Sequence, residues 1–435
     1  MSRDMYYGWK LLLVFWLVLL VAAAFPLYGG GVMNAYMASD LQMPRHMVGL
    51  PMSVYQFTFG LGAPVVGLII ERWGIRATLI AGALLIAASA LLMGFVVSAP
   101  IVAILVFGVL IGMGGAAAGG ITTQAGVARW FTRKRALAMA VLMSAPGFGG
   151  FIVAPLINKV IVAASGNWRA GWWVTALVAT GAALLGFLFV RESPADVGQQ
   201  PDGIAADATA ANQSHARALR SFISTQEWTR SEVLRTRAFW VLLVAAFGLN
   251  LGYTLYFAIG VVHLQDLGHP KGVGAWALSV FGISTLLGKL ALAALGDRYD
   301  PRYVWAATAV AFGLGLILMS TATTDAKLFA CIVLLGFGFS GGLACMFAVL
   351  SNYFGPKAFP AVAGLAVAIT TCAGALAPPL AGLLYAQSGS YRYAFLMIAG
   401  WCFLGAILMA ATRPPVRPES ARAGLPAKSR LPGVE

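Results

Sequence analysis

The sequence predicts an all-α membrane protein with twelve transmembrane helices in two parallel six-helix repeats. Three observations carry this. Of 435 residues, 60% are hydrophobic and 10% charged, against roughly 25% charged in a soluble globular chain. The apolar residues gather into twelve runs, each near the length of about 20 residues that a helix needs to cross a bilayer core. The two halves of the chain also repeat one another at a constant offset.

The first six runs cover roughly 9–37, 47–70, 77–97, 100–128, 135–162 and 170–190. The second six cover roughly 238–264, 272–296, 303–322, 326–353, 359–386 and 392–412. Between them, residues 191–237 include "ESPADVGQQPDGIAADATAANQSHARALRS", small and polar with Pro and Gly. That composition reads as a linker, with an amphipathic helix expected near 216–235. The predicted units are therefore a bundle over 1–190, a linker over 191–237, a bundle over 238–412 and a disordered tail over 413–435.

The repeat is visible in "WFTRKRALAMAV…FIVAPL…SGNWR" and "YFGPKAFPAVAG…GALAPPL…SGSYR". Phe131 aligns with Phe354, Pro155 with Pro378, Gly166 with Gly389 and Arg169 with Arg392, each 223 residues apart. Parallel repeats of this kind place a site at their interface near mid-bilayer.

Charge gives the orientation. The net charge is +14, but the bases lie between apolar runs and not in one patch, which argues against nucleic acid. With both termini inside, 22 of the 29 Lys and Arg residues fall on the inside, and Arg45, Lys159, Arg169, Lys271, Lys327 and Arg392 fall outside. Positive loops mark the cytoplasmic side, so both termini and the linker are expected there. The first run is too long for a cleavable signal and many spans follow it. The expected setting is the inner membrane of a bacterium.

Lys289 is the remaining base. It stands inside the eighth run, eight residues before Asp297, or about 12 Å along a helix. A Lys at mid-bilayer costs about 2.5–3.5 kcal/mol. Snorkelling along lipid reaches about 6 Å, half the distance. A structural ion pair lacks a partner, because no run carries Asp or Glu in its interior. An uncompensated ammonium in low dielectric attracts an anion from outside the chain.

Few other polar groups lie within the runs. Tyr28, Asn34 and Tyr36 are in the first, Tyr55 and Gln56 in the second, and Thr122, Thr123 and Gln124 in the fourth. Asn250, Tyr253 and Tyr256 are in the seventh, and Thr370, Thr371 and Cys372 in the eleventh. Asn250 and Tyr253 are three apart and share a helix face. Helix–helix hydrogen bonding explains any one of them; as a set with Lys289, the residues Tyr28, Gln56, Gln124, Asn250, Tyr253 and Thr370 can line a cavity. His263 and His269, near the outer end of the seventh run, read as surface or gate residues. The Gly-rich stretches "YGGGVM", "GMGGAAAGG", "SAPGFGG" and "GFGFSGG" let helices approach closely and bend. None is a phosphate loop, which needs Gly-Lys-Ser/Thr between strand and helix. Nothing in the runs supplies a nucleophile with its base, so no enzyme is expected. The four cysteines lack metal-ligand spacing, and neither cofactor nor metal is expected.

Two loops carry a resemblance. "GLIIERWGIR" (67–76) follows the second run and "AALGDRYDPR" (293–302) the eighth. With the six-plus-six layout they resemble the major facilitator superfamily, whose loop signature is Gly, Asp, Arg, then Gly-Arg-Arg/Lys. Glu71 replaces the Asp and Ile75 interrupts the first copy; the second lacks its closing Gly. The resemblance implies gating roles for Glu71, Arg72, Asp297 and Arg298. "YYGWK", "AFP", "WFTRKRALAMA", "APL" and "NWR" further resemble the monocarboxylate porter and oxalate/formate antiporter branch. That resemblance implies a base in the eighth run that binds the substrate carboxylate, and Lys289 stands there. Dicarboxylate members add a second base in the eleventh run, which this chain lacks. Proton-coupled members carry an Asp where this chain has Thr285.

The expectation is a monomeric secondary active or facilitative transporter. It would move a small organic monocarboxylate, lactate- or pyruvate-like, by alternating access, with a proton or against a counter-anion. The alternatives are an exporter of larger amphipathic compounds in which Lys289 only packs or snorkels, an anion exchanger of the oxalate/formate type, and a non-transporting receptor.

Overall fold

The computed structural model describes residues 6–203, 228–295 and 299–415, and all regular structure among them is helical. The first half holds α1 (Tyr7–Asp40), α2 and α3 (50–73 and 75–95), α4 (Pro100–Trp130), α5 (Arg135–Ala163) and α6 (Arg169–Phe189). The second holds α7 (Arg237–Asp266), α8 (Lys271–Leu295), α9 (Pro301–Met319), α10 (Asp325–Gly355), α11 (Ala361–Ser388) and α12 (Arg392–Ala411). The helix Leu50–Phe95 runs for 46 residues but breaks at Gly74, with φ 83° and ψ 174°, so it crosses twice. The face where α1 begins and α12 ends is termed the near face, and the opposite one the far face.

Helix irregularities follow the residues that cause them. Pro26 has no N–H for the ladder, and α1 opens there into a π-turn over Phe25–Gly29. A second π-turn, Val106–Ile111, widens α4. Leu68, Phe95, Leu177 and Ile407 are 66–74% exposed. Such residues form an apolar exterior suited to lipid, while the backbone polar groups are satisfied within the helices.

The repeat seen in the sequence is a repeat in space. Gly166 and Gly389 both hold positive φ, 87° and 69°, just past the far ends of α5 and α11. Trp168 and Tyr391, again 223 apart, anchor the end of α1 and the loop that follows it. The Trp168 indole donates to Asp40 at 2.9 Å, and the Tyr391 hydroxyl to the Arg45 carbonyl at 2.9 Å. Phe131 lies edge-on to Tyr6 and Phe354 edge-on to Trp228, each with ring centroids 5.7 Å apart.

Among the described residues, polar contacts between the halves run from the far face to mid-depth. Arg45 grips Asp266 with two nitrogens, at 2.8 and 3.2 Å. Asn34 donates to the Ala258 carbonyl at 3.1 Å, Ser53 to that of Ala375, and Gln56 to the Thr254 hydroxyl at 3.3 Å. At the near face the start of α1, α3, α4 and the turn before α5 bind linker residues Gln199, Glu192 and Asp202. The two bundles are thus closed against each other at the far face.

The expected linker helix near 216–235 falls mostly outside the described residues; a short helix, Arg230–Leu234, starts at a capping box of Thr229 and Glu232.

Candidate functional site

The site is built on the contact between α5 and α8. A Cβ placed on Gly282 would lie 2.8 Å from the Gly147 carbonyl oxygen and 2.9 Å from the Phe151 nitrogen. The helices therefore touch backbone to backbone, which only glycine permits. They run antiparallel. From that contact, Met143 lies one turn toward the near face on α5, and Lys289 two turns along on α8. Helical side chains lean toward their own N-terminus, so Lys289 leans away from the near-face headgroups and back toward Met143. Its ammonium donates to the Met143 carbonyl at 3.0 Å. Pro146 lacks the N–H that would serve the Leu142 carbonyl, and this loosens the turn that holds Met143.

This placement is neither snorkelling nor an ion pair. Leu287 and Leu290, beside Lys289 on α8, are 48% and 61% exposed and make the lipid-facing side, whereas Lys289 is half-buried between the bundles. Arg45–Asp266, Arg129–Glu192, Arg169–Asp40 and Arg302–Asp300 are the ion pairs among the described residues, and Lys289 is in none of them.

Several residues singled out from the sequence gather round this contact. Gln124 is exposed, and its amide approaches the Met143 sulfur at 3.6 Å. Tyr28 is sealed against Gly150, edge-on to Phe257 with centroids 4.9 Å apart, and its hydroxyl meets that of Thr285, one turn from Lys289. Asn250 and Tyr253 do share a face of α7. The Asn250 amide donates to the Ala246 carbonyl at 3.3 Å, and Tyr253 stacks on Phe339 with centroids 4.3 Å apart. Gln56 belongs to the far-face seam. Thr370 is buried and turned onto its own helix, donating to the Ala366 carbonyl at 2.8 Å.

Met143, Phe281 and Phe339 were not singled out from the sequence. A backbone acceptor leaves no mark on residue type. Phe in an apolar helix is unremarkable until its neighbours are known.

At the near face, Glu71 and Arg72 are exposed, and Asp297 and Arg298 lie outside the described residues. The bracing in this corner comes from Glu192, which follows α6. Its carboxylate accepts from the N–H groups of Ile75 and Arg76 at 3.0 and 2.8 Å and from Arg129 at 2.9 Å. A Cβ on Gly74 would lie 2.5 Å from this carboxylate. Further along the linker, Asp202 caps the start of α5. It accepts from the Thr132 hydroxyl and from the N–H groups of Thr132, Arg133 and Lys134. Partial burial pushes the Asp202 carboxyl up, but these hydrogen bonds outweigh it and hold the group below the usual carboxylate range.

One expectation at the far face needs correction. His263 is not a surface residue: it is 1% exposed, its Nε2 lies 3.2 Å from the Met319 carbonyl, and its ring packs 4.8 Å from that of Phe395. The apolar faces of α7, α9 and α12 close over it. His269 pairs similarly with the Ala322 carbonyl at 2.6 Å.

Two six-helix bundles, closed at one face and bridged at mid-depth by a half-buried cation, define a membrane transporter. The chain belongs to the Major Facilitator Superfamily, whose family model matches residues 11–273 and 252–432. Monocarboxylate transporter 13 of Bos taurus is 28% identical over 366 residues, covering 82% of this chain and 78% of that protein. An uncharacterized MFS-type transporter of Bacillus subtilis, YcxA, is 24% identical over 412 residues, covering 89% and 92%. The gentisate transporter of Corynebacterium glutamicum is 23% identical over 383 residues, covering 87% and 82%. The crystal structure of a D-xylose–proton symporter superposes with a TM-score of 0.71 at 17% identity, covering 93% of this chain and 98% of that one.

Proposed function

We propose that this transporter carries a small organic monocarboxylate and that Lys289 binds the carboxylate. The observation that carries the reading is the ammonium itself. It lies within the spanning region, bridges the two bundles, and rests on a neutral carbonyl and not on a carboxylate among the described residues. A carbonyl offers a placeholder bond without neutralising the charge. An anion entering from the near face takes over that bond and cancels the charge, and the bundles then close behind it at lower electrostatic cost. Relatives named for monocarboxylate and gentisate transport support an acid as cargo. One base supports one carboxylate. Thr285, where an acid would serve proton coupling, instead bonds the Gly282 carbonyl at 2.7 Å. Any accompanying proton would then travel on Lys289 or on the cargo; exchange against a second anion needs none.

In this reading the near face is cytoplasmic, as the 22 bases against six indicate. The protein works as a monomer in a cell membrane, with bundles over 1–190 and 238–412. A second reading is favoured by the Met143 bond: Lys289 is a structural tie between bundles in an exporter of larger amphipathic compounds.

Uptake of radiolabelled carboxylates into proteoliposomes, with and without a pH gradient, tests both. Lys289→Ala is expected to abolish uptake with the fold intact, and Lys289→Arg to retain binding. Carboxylate uptake unchanged in Lys289→Ala, together with a lowered melting temperature, makes Lys289 the tie.

A further inference from the structure

Asn34 and Trp172 each carry a polar atom that the seam between the bundles does not use. The Asn34 amide nitrogen donates twice, to the Val48 carbonyl at 2.9 Å and across the bundles to the Ala258 carbonyl at 3.1 Å. Two carbonyls fix which end of the amide faces them, so its oxygen turns away from both. That Oδ1 and the Trp172 Nε1 are buried, and neither has a hydrogen-bond partner among the described residues. The two residues are 7% and 1% exposed. A buried polar atom is costly to leave unpaired, and nearly all of them find a partner.

Both residues line one small cavity within the first bundle. Its other walls are Gly30 and Met37 of α1, Pro51 and Met52 of α2, and Phe107 of α4. The Trp172 indole stands at 67° to the Phe107 ring, with centroids 5.6 Å apart. The cavity leaves about 10 Å³ for a water-sized sphere. By that measure a single water needs roughly 10–15 Å³ and about two to four polar partners. The chemistry of the walls narrows the occupant further. An indole N–H only donates, and an amide oxygen only accepts. A cation suits the oxygen but is repelled by the N–H, and an anion is placed the opposite way. A neutral molecule that accepts on one side and donates on the other satisfies both, and water is the one that fits the volume.

We infer that this cavity binds one structural water, which accepts from the Trp172 indole and donates to the Asn34 amide oxygen. The water joins α6 to α1 and holds the Asn34 amide turned toward Ala258. An amide that accepts at its oxygen also donates more strongly at its nitrogen. Trp172 is therefore a positioning residue for a bond that ties the two bundles, although it stands within the first. The inference holds whatever the cargo is.

The test is X-ray hydroxyl-radical footprinting of the full-length protein in detergent, in which radicals form from water in place and oxidise the side chains beside it. Met37 and Met52 are expected to oxidise at least fivefold faster than Met93 and Met409; all four are 0–3% exposed. Trp172→Phe should bring Met37 and Met52 to the level of the other two, because a cavity with a single polar partner stays dry. The same variant is expected to change the maleimide labelling rate of Cys372 at least twofold. The Cys372 sulfur lies 3.9 Å from the Phe57 carbonyl, across the seam of α2 and α11. In an Asn34→Leu background Trp172→Phe should change that rate no further. Met37 and Met52 oxidising no faster than Met93 and Met409 in the parent protein overturns the water site, whether or not the variants fold. Oxidation as expected, but with Cys372 labelled alike in the parent and Trp172→Phe or changed equally in both backgrounds, overturns the positioning role and leaves the water.

Discussion

Arg45 and Asp266 clasp each other across the two bundles with paired bonds of 2.8 and 3.2 Å, at the far end of the seam that holds Lys289 at mid-depth. The two side chains are 44% and 27% exposed. Such a pair contributes at most about 1 kcal/mol, yet it exists only while the far face is shut. All of that energy therefore biases the conformational equilibrium.

Asp266→Asn is expected to shift the population toward a far-open form by up to about fivefold. Cys372 reports the shift. It is half-exposed at the seam of α2 and α11, with its sulfur 3.9 Å from the Phe57 carbonyl, while Cys331, Cys345 and Cys402 are buried. Maleimide labelling of Cys372 should change rate in Asp266→Asn and recover in the exchanged pair Arg45→Asp with Asp266→Arg. Equal labelling in all three proteins would remove the clasp from the gating account.

Gly282→Val is expected to fail in a different way. The new side chain meets the Gly147 carbonyl and the Phe151 nitrogen, and backbone cannot step aside as a side chain can. Overpacking of this kind costs about 1–3 kcal/mol. A lowered melting temperature with loss of transport is the expected outcome. A variant that melts and transports like the parent would show that α5 and α8 separate freely.

Glu192→Gln removes the charge from a carboxylate that accepts from two backbone N–H groups and Arg129. Charge-assisted hydrogen bonds contribute about 1.5–3 kcal/mol each when intact, and solvent screening at this half-exposed site discounts that toward about 1 kcal/mol in all. Gly74→Ala should cost at least as much, because it adds strain at φ 83° and a clash with the same carboxylate. Thermal melting of the two single variants and the double variant checks the coupling, and the double variant is expected to be less than additive.

Acid should release the linker from α5. The Asp202 carboxyl is held below its unfolded value by Thr132 and the N–H groups of Arg133 and Lys134. A depressed carboxylate stabilises the fold above the unfolded pKa of about 3.9, and the contribution is lost as pH falls through the folded value. The tether should therefore be constant from neutral pH down to about 5 and weaken below about 4. Limited proteolysis of the linker by pepsin-type and neutral proteases across this range checks it. Asp202→Asn should be cleaved readily at every pH.

The twelve spans were legible because crossing a bilayer forces long apolar runs, and the repeat because Gly166 and Gly389 answer the same backbone demand at φ 87° and 69°. Lys289 was legible because a charge in such a run stands out by its cost. Its partner was not, since the Met143 carbonyl belongs to the backbone. Glu192 lies 116 residues from the Arg76 N–H that it accepts from, so no local pattern could join them. His263 was misread because its apolar neighbours come from α9 and α12, far along the chain.

The bare contact of Gly147 with Gly282 has a mechanical consequence. It lies at mid-depth, with the Arg45–Asp266 clasp on its far side, and is placed to act as a fulcrum in the proposed transport cycle. Lys289 sits seven residues from it, a lever arm of about 10 Å. A rigid-body swing of about 15°, ordinary in domain transitions, carries that arm through about 3 Å, as far as the hydrogen bond to Met143 is long. In the proposed cycle the ammonium cannot keep its carbonyl through such a swing, so each stroke would free the cation once.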